Sequence, residues 1–297
     1  MVAEQHPLRG ILLLFCSLFF FAALDATAKF LTQTYSVPLL VWARYVVHCL
    51  LMAALVGPRL GWDLVRTRQP LLLVVRGLCL VGCTGFGVAA LARMPLAETT
   101  AIAFTAPPLV ALMAGPTLGE RLTPLRWGVV AAGFAGVLLI ARPGAGITPD
   151  GVALALGAAS CFAAYQILTR YLAASESTLT MLFHTALAGS VVMTLALPLY
   201  WDALVTPPLG DALLICALGI LGGTGHLLLT RAFRHAPASL ISPFTYLQLV
   251  WATLLGAAVF GHWPDGWAFT GMAVIVAGGV ALALSANRAR LDTGKAG

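Results

Sequence analysis

The sequence predicts an all-α polytopic membrane protein whose ten transmembrane helices form two inverted-topology five-helix repeats. Three observations lead there. Hydrophobic residues make up 60% of the chain and charged residues 9%, with a mean hydropathy of +0.93, where a soluble domain carries roughly a quarter charged residues. Apolar stretches near the length that crosses a hydrocarbon core recur at about 9–31, 38–57, 70–92, 95–116, 124–142, 150–172, 178–200, 209–233, 237–261 and 265–286. The chain also repeats itself. Phe21-Ala22-Ala23 falls over Phe162-Ala163-Ala164, and Lys29 over Arg170, at a shift of 141. Arg93-Met94-Pro95 falls over His235-Ala236-Pro237, and Phe104 over Tyr246, at 142; Gly128 and Gly136 fall over Gly271 and Gly279 at 143. An odd number of spans per half sends the second half into the bilayer upside down, the usual build of secondary transporters with a site near the midplane.

Each span has its own boundary signals. The first follows Arg9 and superficially resembles a secretory signal. Residues 20–31 match 161–172, so it is read as a retained span. Val37-Pro38 opens the second span, Gly57-Pro58 closes it and Gln69-Pro70 opens the third. Pro95 and Pro116 bracket the fourth, and Pro143-Gly144 ends the fifth. Pro207-Pro208 separates the seventh from the eighth, and Trp263-Pro264 the ninth from the tenth. Such residues punctuate regular structure because they fix or free the backbone. The organisation expected is a first repeat over 9–142, a second over 150–286 and a cytoplasmic tail over 287–297.

Charge sets the expected orientation. With the N-terminus inside, Arg59, Arg66, Arg68, Arg121, Arg126, Arg231 and Arg234 fall on inner segments, while Lys29, Arg93 and Arg142 fall at outer ends. That bias places both termini in the cytoplasm of a bacterial inner membrane. The net charge of +6 therefore tracks one side of the bilayer and points to no nucleic acid. The six cysteines lie inside hydrophobic runs without C-x-x-C spacing, so reduced packing residues are expected and no metal or cofactor. Gly219 and Gly223 form a G-x-x-x-G, which lets helices approach closely within a monomer or a weak homodimer.

Gly119-Glu120-Arg121-Leu122-Thr123, followed by Gly128 and Gly136-Val137-Leu138-Leu139, resembles the end of the EamA module of the drug/metabolite transporter superfamily. Arg44, Met94-Pro95-Leu96-Ala97 and Pro107-Pro108 fit the same pattern, and the resemblance spans residues 9–286 as two tandem modules. It implies a ten-helix carrier that exports amino acids or other small metabolites by alternating access. The second half departs from the pattern: His262 stands where Glu120 stands in the first, and His184 or Thr185 where Arg44 stands.

Ionisable groups within a membrane usually face a cavity or a partner, because inserting each costs roughly 2.5–3.5 kcal/mol. Asp25 and Lys29 are spaced i,i+4 and share a helix face. They read either as a neutralising pair with Lys29 snorkelling, or as a gate in which Asp25 carries a proton. Arg44, two turns into its span, reads as a carboxylate ligand or as a structural ion-pair partner of Asp25 or Glu98. Glu98 opens the fourth span, where a carboxylate suits the helix dipole and the outer mouth alike. Arg76 is close enough to the cytoplasmic end of its span to snorkel.

At mid-depth, repeat counterparts supply Thr84 and His226, Phe104 and Tyr246, and Asp25 and Gln166, with Tyr165 and Gln248 adjacent. Equivalent positions in inverted halves converge about the pseudo-two-fold axis, so these residues are candidates to line a substrate chamber. Each also has a plainer reading as a packing residue. Pro107 and Pro243 interrupt the fourth and ninth spans as candidate hinges. The function expected is export of small metabolites, foremost apolar, aromatic or neutral amino acids, with a proton as candidate co-substrate. The alternatives are a proton-coupled antiporter of cationic drugs or a carrier of another metabolite. An intramembrane enzyme is not expected, because Ser190 lies outside a G-x-S-x-G context.

Overall fold

A computed structural model describes residues 7–118, 124–140, 142, 147–173, 175–203, 206–235 and 242–294. The Gly119–Thr123 motif with Glu120 and Arg121, Pro143-Gly144 and Ala236-Pro237 lie outside the described residues. Three long helices come first: α1 (Pro7–Leu31), α2 (Val37–Leu55) and α3 (Pro70–Leu91). The predicted fourth span is two helices, α4 (Leu96–Ala103) and α5 (Ala106–Leu118). The cause is Pro107-Pro108, whose missing N–H groups cannot bond the carbonyls of Ala103 and Phe104. The Thr105 hydroxyl takes up the Ile102 carbonyl at 2.7 Å instead.

Then follow α6 (Pro124–Ile140), α7 (Pro149–Leu172), α8 (Thr178–Ala196) and α9 (Leu209–His235). A 3₁₀ turn over Ser242–Tyr246 that contains Pro243 leads into α10 (Leu247–Phe260), and α11 runs Gly266–Gly294. The last helix thus continues through the stretch expected to be a tail. Pro38 and Pro70, read as breakers, start α2 and α3 at their first turns, and Pro149 does the same for α7, where the missing donor costs nothing. Gly261, at φ 65°, closes α10 in the left-handed conformation.

Six described helices are long and apolar enough to cross a membrane, and three shorter apolar helices accompany them. The difference from the ten predicted spans falls at the α4–α5 break and beside residues 119–123 and 236–241.

Helix partners exchange between the two halves of the chain. The helix α1 packs along α9, and its counterpart α7 packs along α3. The helix α2 touches α8 and α9; α8 touches α2 and α3; α6 packs on α11. In lipid the association of such helices rests on close packing and hydrogen bonds rather than on a hydrophobic drive, and glycines mark the crossings. A Cβ on Gly136 would meet the Gly271 carbonyl at 2.8 Å. A Cβ on Gly219 would meet Val47 at 2.6 Å, and one on Gly189 would strike the Tyr45 ring. The Gly219–Gly223 motif therefore faces α2 of the same chain.

Candidate functional site

One end of the bundle is tied by charge. Lys29 Nζ donates to the carbonyls of Leu91 (2.7 Å) and Met94 (2.6 Å), and lies 5.5 Å from the Phe260 ring centroid. A cation suits those carbonyls because the end of α3 leaves them without helical donors. Glu98 is 2% exposed and bonds His262 Nε2 at 2.9 Å, while its second oxygen is buried with no hydrogen-bond partner among the described residues. The ends of α1, α3, α4 and α10 are thereby joined. Arg93–Asp150 and Arg142–Asp265 ion pairs, each 2.6 Å, close the rim. At the same end the Tyr35 hydroxyl donates to Asp211 at 2.6 Å, and that bond, with burial and the neighbouring charge, pushes the phenol up to about 12.

The pairing of Asp25 with Lys29, one of the two expectations, does not form. Lys29 is occupied by α3, and Asp25 turns to α10, accepting one long bond from Gln248 Nε2 at 3.4 Å. Arg44 on α2 lies within electrostatic reach of Asp25 and His226. Its Nε is 3.7 Å from where a Gly222 side chain would begin. Among the described residues Arg44 makes no hydrogen bond or ion pair, to Asp25 or Glu98 or any other. His48, one turn from Arg44, stacks on His226 with centroids 6.3 Å apart and planes at 6°. Phe21 meets the His226 ring edge-on at 5.0 Å. Asp25, Arg44, His48, His226 and Gln248 are all partly exposed although they sit on packed helices of both repeats.

The other candidates divide. Phe104 and Tyr246, counterparts in the repeats, meet at 4.9 Å between centroids, and the Tyr246 hydroxyl presses on the backbone at Gly279. Thr84 is buried and shares a hydrogen bond of 2.9 Å with Tyr45. Gln166 is partly exposed and bonds no described residue. Pro107 sits at the α4–α5 break. Tyr165 is buried, and its oxygen accepts from Arg76 at 2.6 Å.

Arg76 does not snorkel. It is 2% exposed, and its guanidinium is enclosed between α3, α7 and α8. Its Nε donates to Thr169 Oγ1 (2.7 Å), and one terminal nitrogen donates to the Met181 carbonyl (2.8 Å) and Thr185 Oγ1 (2.5 Å). The Tyr165 ring centroid lies 4.3 Å from the guanidinium carbon. Neutral oxygens alone receive this charge. The sequence reading took Arg76 for a snorkelling residue and did not single out His48. The helical period carried the signal for both: Arg76 shares the buried face of Leu73, Leu80 and Thr84, and His48 lies i+4 from Arg44.

An apolar groove of about 550 Å³ lies between α10 and α11 and is lined in part by Tyr246. Val250, Leu254 and Phe269 on it are exposed, which places it on the lipid-facing surface. Among the described residues no group of His, Cys, Asp and Glu is arranged to hold a metal ion.

A duplicated bundle of apolar helices with charged groups held between its halves defines a multi-pass membrane transporter. The EamA-like transporter family matches residues 8–142 and 150–284. The chain belongs to that family, within the drug/metabolite transporter superfamily. It is 30% identical over 218 residues to an S-adenosylmethionine uptake transporter of Rickettsia bellii, covering 73% of each chain. It is 28% identical over 277 residues to the pseudopaline exporter CntI of Pseudomonas aeruginosa, covering 92% of this chain and 95% of that one. A riboflavin transporter of Vibrio cholerae is 28% identical over 291 residues, 93% of each. A protein of known crystal structure superimposes with a TM-score of 0.66 at 25% identity, over 95% of this chain and 99% of that one.

Proposed function

We propose that this protein is an inner-membrane secondary carrier that exports a small metabolite, foremost a neutral or aromatic amino acid, by alternating access. In this reading ten spans cross the bilayer as two inverted repeats with both termini in the cytoplasm, and the Lys29 end is the periplasmic mouth. The observation that carries the reading is the set of Asp25, Arg44, His48, His226 and Gln248. They come from four helices of both repeats, are partly exposed, and meet where the halves join. Polar groups at such depth mark a pathway. The α4–α5 break at Pro107-Pro108 and the 3₁₀ turn at Pro243 act as hinges. Lys29 and the Glu98–His262 pair hold the outer mouth shut.

The relatives' cargoes differ in name from one another, so the family supports a metabolite carrier without selecting the cargo. Export of cationic drugs is the second reading. Arg44 weighs against it, since it places a positive charge in the membrane interior within electrostatic reach of the acid Asp25.

Uptake into proteoliposomes of a mixed panel of labelled amino acids and organic cations, with and without a pH gradient, tests both. Saturable amino-acid uptake is expected. Gradient-driven uptake of cations without amino acids would replace the proposal by the drug antiporter.

A further inference from the structure

The geometry points to Arg44 and Asp25 as the two ends of a clamp for a zwitterion, Arg44 receiving the carboxylate and Asp25 the ammonium. This inference rests on the carrier reading above and names what its site recognises. The two residues lie at one depth. Asp25 stands six residues before the end of α1 and Arg44 seven after the start of α2, so each is about 9–10 Å from the same end of the bundle.

Neither is satisfied by the protein. Asp25 holds one bond, the 3.4 Å contact from Gln248, although a carboxylate accepts several. Arg44, with five N–H donors, bonds no described residue. A Cβ on Gly222, opposite it, would sit 3.7 Å from Nε, in van der Waals contact and without a clash. If the two formed a structural ion pair they would sit within bonding distance, and they do not.

Opposite charges held near one another in a membrane without contact need something between them. Water serves in the empty carrier, and a ligand with a negative and a positive end serves in the loaded one. A guanidinium takes a carboxylate through two parallel bonds. Asp25, helped by the Gln248 side-chain oxygen, takes an ammonium. Arg76 shows the contrast: Thr169, Thr185, Tyr165 and the Met181 carbonyl take four of its five N–H donors and enclose a side chain that is 2% exposed.

The test is competition for carrier-mediated uptake by the purified protein in proteoliposomes. The probes are L-phenylalanine, phenethylamine, which lacks the carboxylate, and 3-phenylpropionate, which lacks the amine. The wild type is expected to prefer L-phenylalanine to each one-ended probe by about ten- to a hundredfold, the worth of one charge-assisted bond. Arg44→Gln should lower L-phenylalanine to the level of phenethylamine and leave phenethylamine unchanged. Asp25→Asn should do the same with respect to 3-phenylpropionate. Arg44→Lys, which keeps the charge, should retain part of the preference and guards against loss of folding in Arg44→Gln.

Equal losses for all three probes in both variants would overturn the clamp and leave the carrier reading standing. A wild type that prefers phenethylamine would overturn the clamp as well. A wild type that moves no member of the full amino-acid panel would overturn the carrier reading, and the clamp with it.

Discussion

Arg44 and Arg76 occupy equivalent three-helix junctions at opposite ends of the bundle, and the protein treats them in opposite ways. His184 or Thr185 stands where Arg44 stands in the first repeat, and Thr185 supplies one of the oxygens that hold Arg76. So α2 with α1 and α9 builds one junction, and α8 with α7 and α3 builds the other. In the second, Thr169, Thr185, Tyr165 and the Met181 carbonyl close around the guanidinium and exclude solvent. In the first, Leu24 and Ala28 stand at the places of Tyr165 and Thr169, and the arginine keeps its donors free. A duplicated fold has thus separated two tasks of one side chain: Arg76 joins helices, and Arg44 is held ready.

Arg76→Gln breaks this contrast hardest. A shorter side chain cannot reach α7 and α8 together, so a loss on the order of 3 kcal/mol is expected, read as a fall in the unfolding midpoint in detergent. The folded fraction should keep its affinity for substrate. Gly189→Ala comes next. Its Cβ strikes the Tyr45 ring, which also holds Thr84, so overpacking of about 1–3 kcal/mol is expected from the same measurement.

Lys29→Met follows at about 1–2 kcal/mol, for two lost bonds to α3 carbonyls. Its more telling effect is faster exchange at the Lys29 end, seen as quicker labelling of a cysteine placed at Thr99, which is buried in the wild type. An unchanged labelling rate would remove Lys29 from the mouth.

The smallest effect lies at the opposite end, in the loop before α8. Partial burial disfavours the charge on Glu176. Bonds from Thr67 Oγ1 and the backbone N–H groups of Arg68 and Gln69, with His184 nearby, outweigh it and hold the carboxyl below its ordinary range. A depressed folded value means the stabilisation is present above the ordinary carboxylate range and is lost as pH falls through the folded value. The unfolding midpoints of wild type and Glu176→Gln should therefore differ slightly at neutral pH and converge in acid.

Much of this was legible in the chain itself. The repeat offset paired Phe104 with Tyr246, and the two rings meet, whereas Thr84 bonds Tyr45 and Gln166 bonds no described residue. Span signals in Pro38 and Pro70 became helix starts for a local reason, the missing donor. The partners of each charge were not legible. Local spacing offered Lys29 to Asp25, but the fold brings carbonyls of Leu91 and Met94, 62 and 65 residues away, to the Lys29 ammonium instead. Arg76 read as snorkelling from its distance to the span end, whereas the face it occupies on α3 decided its burial. A charge satisfied only by hydroxyls and a carbonyl leaves no opposite charge in the sequence to suggest its partner.

The most direct test of the account sets Arg44→Gln and Arg76→Gln side by side, measuring the unfolding midpoint and proteoliposome uptake for each. Arg44→Gln should keep the wild-type midpoint and lose uptake, while Arg76→Gln should lose the midpoint and retain uptake per folded molecule. An Arg44→Gln protein that unfolds early, or an Arg76→Gln protein that stays stable but no longer transports, would contradict it.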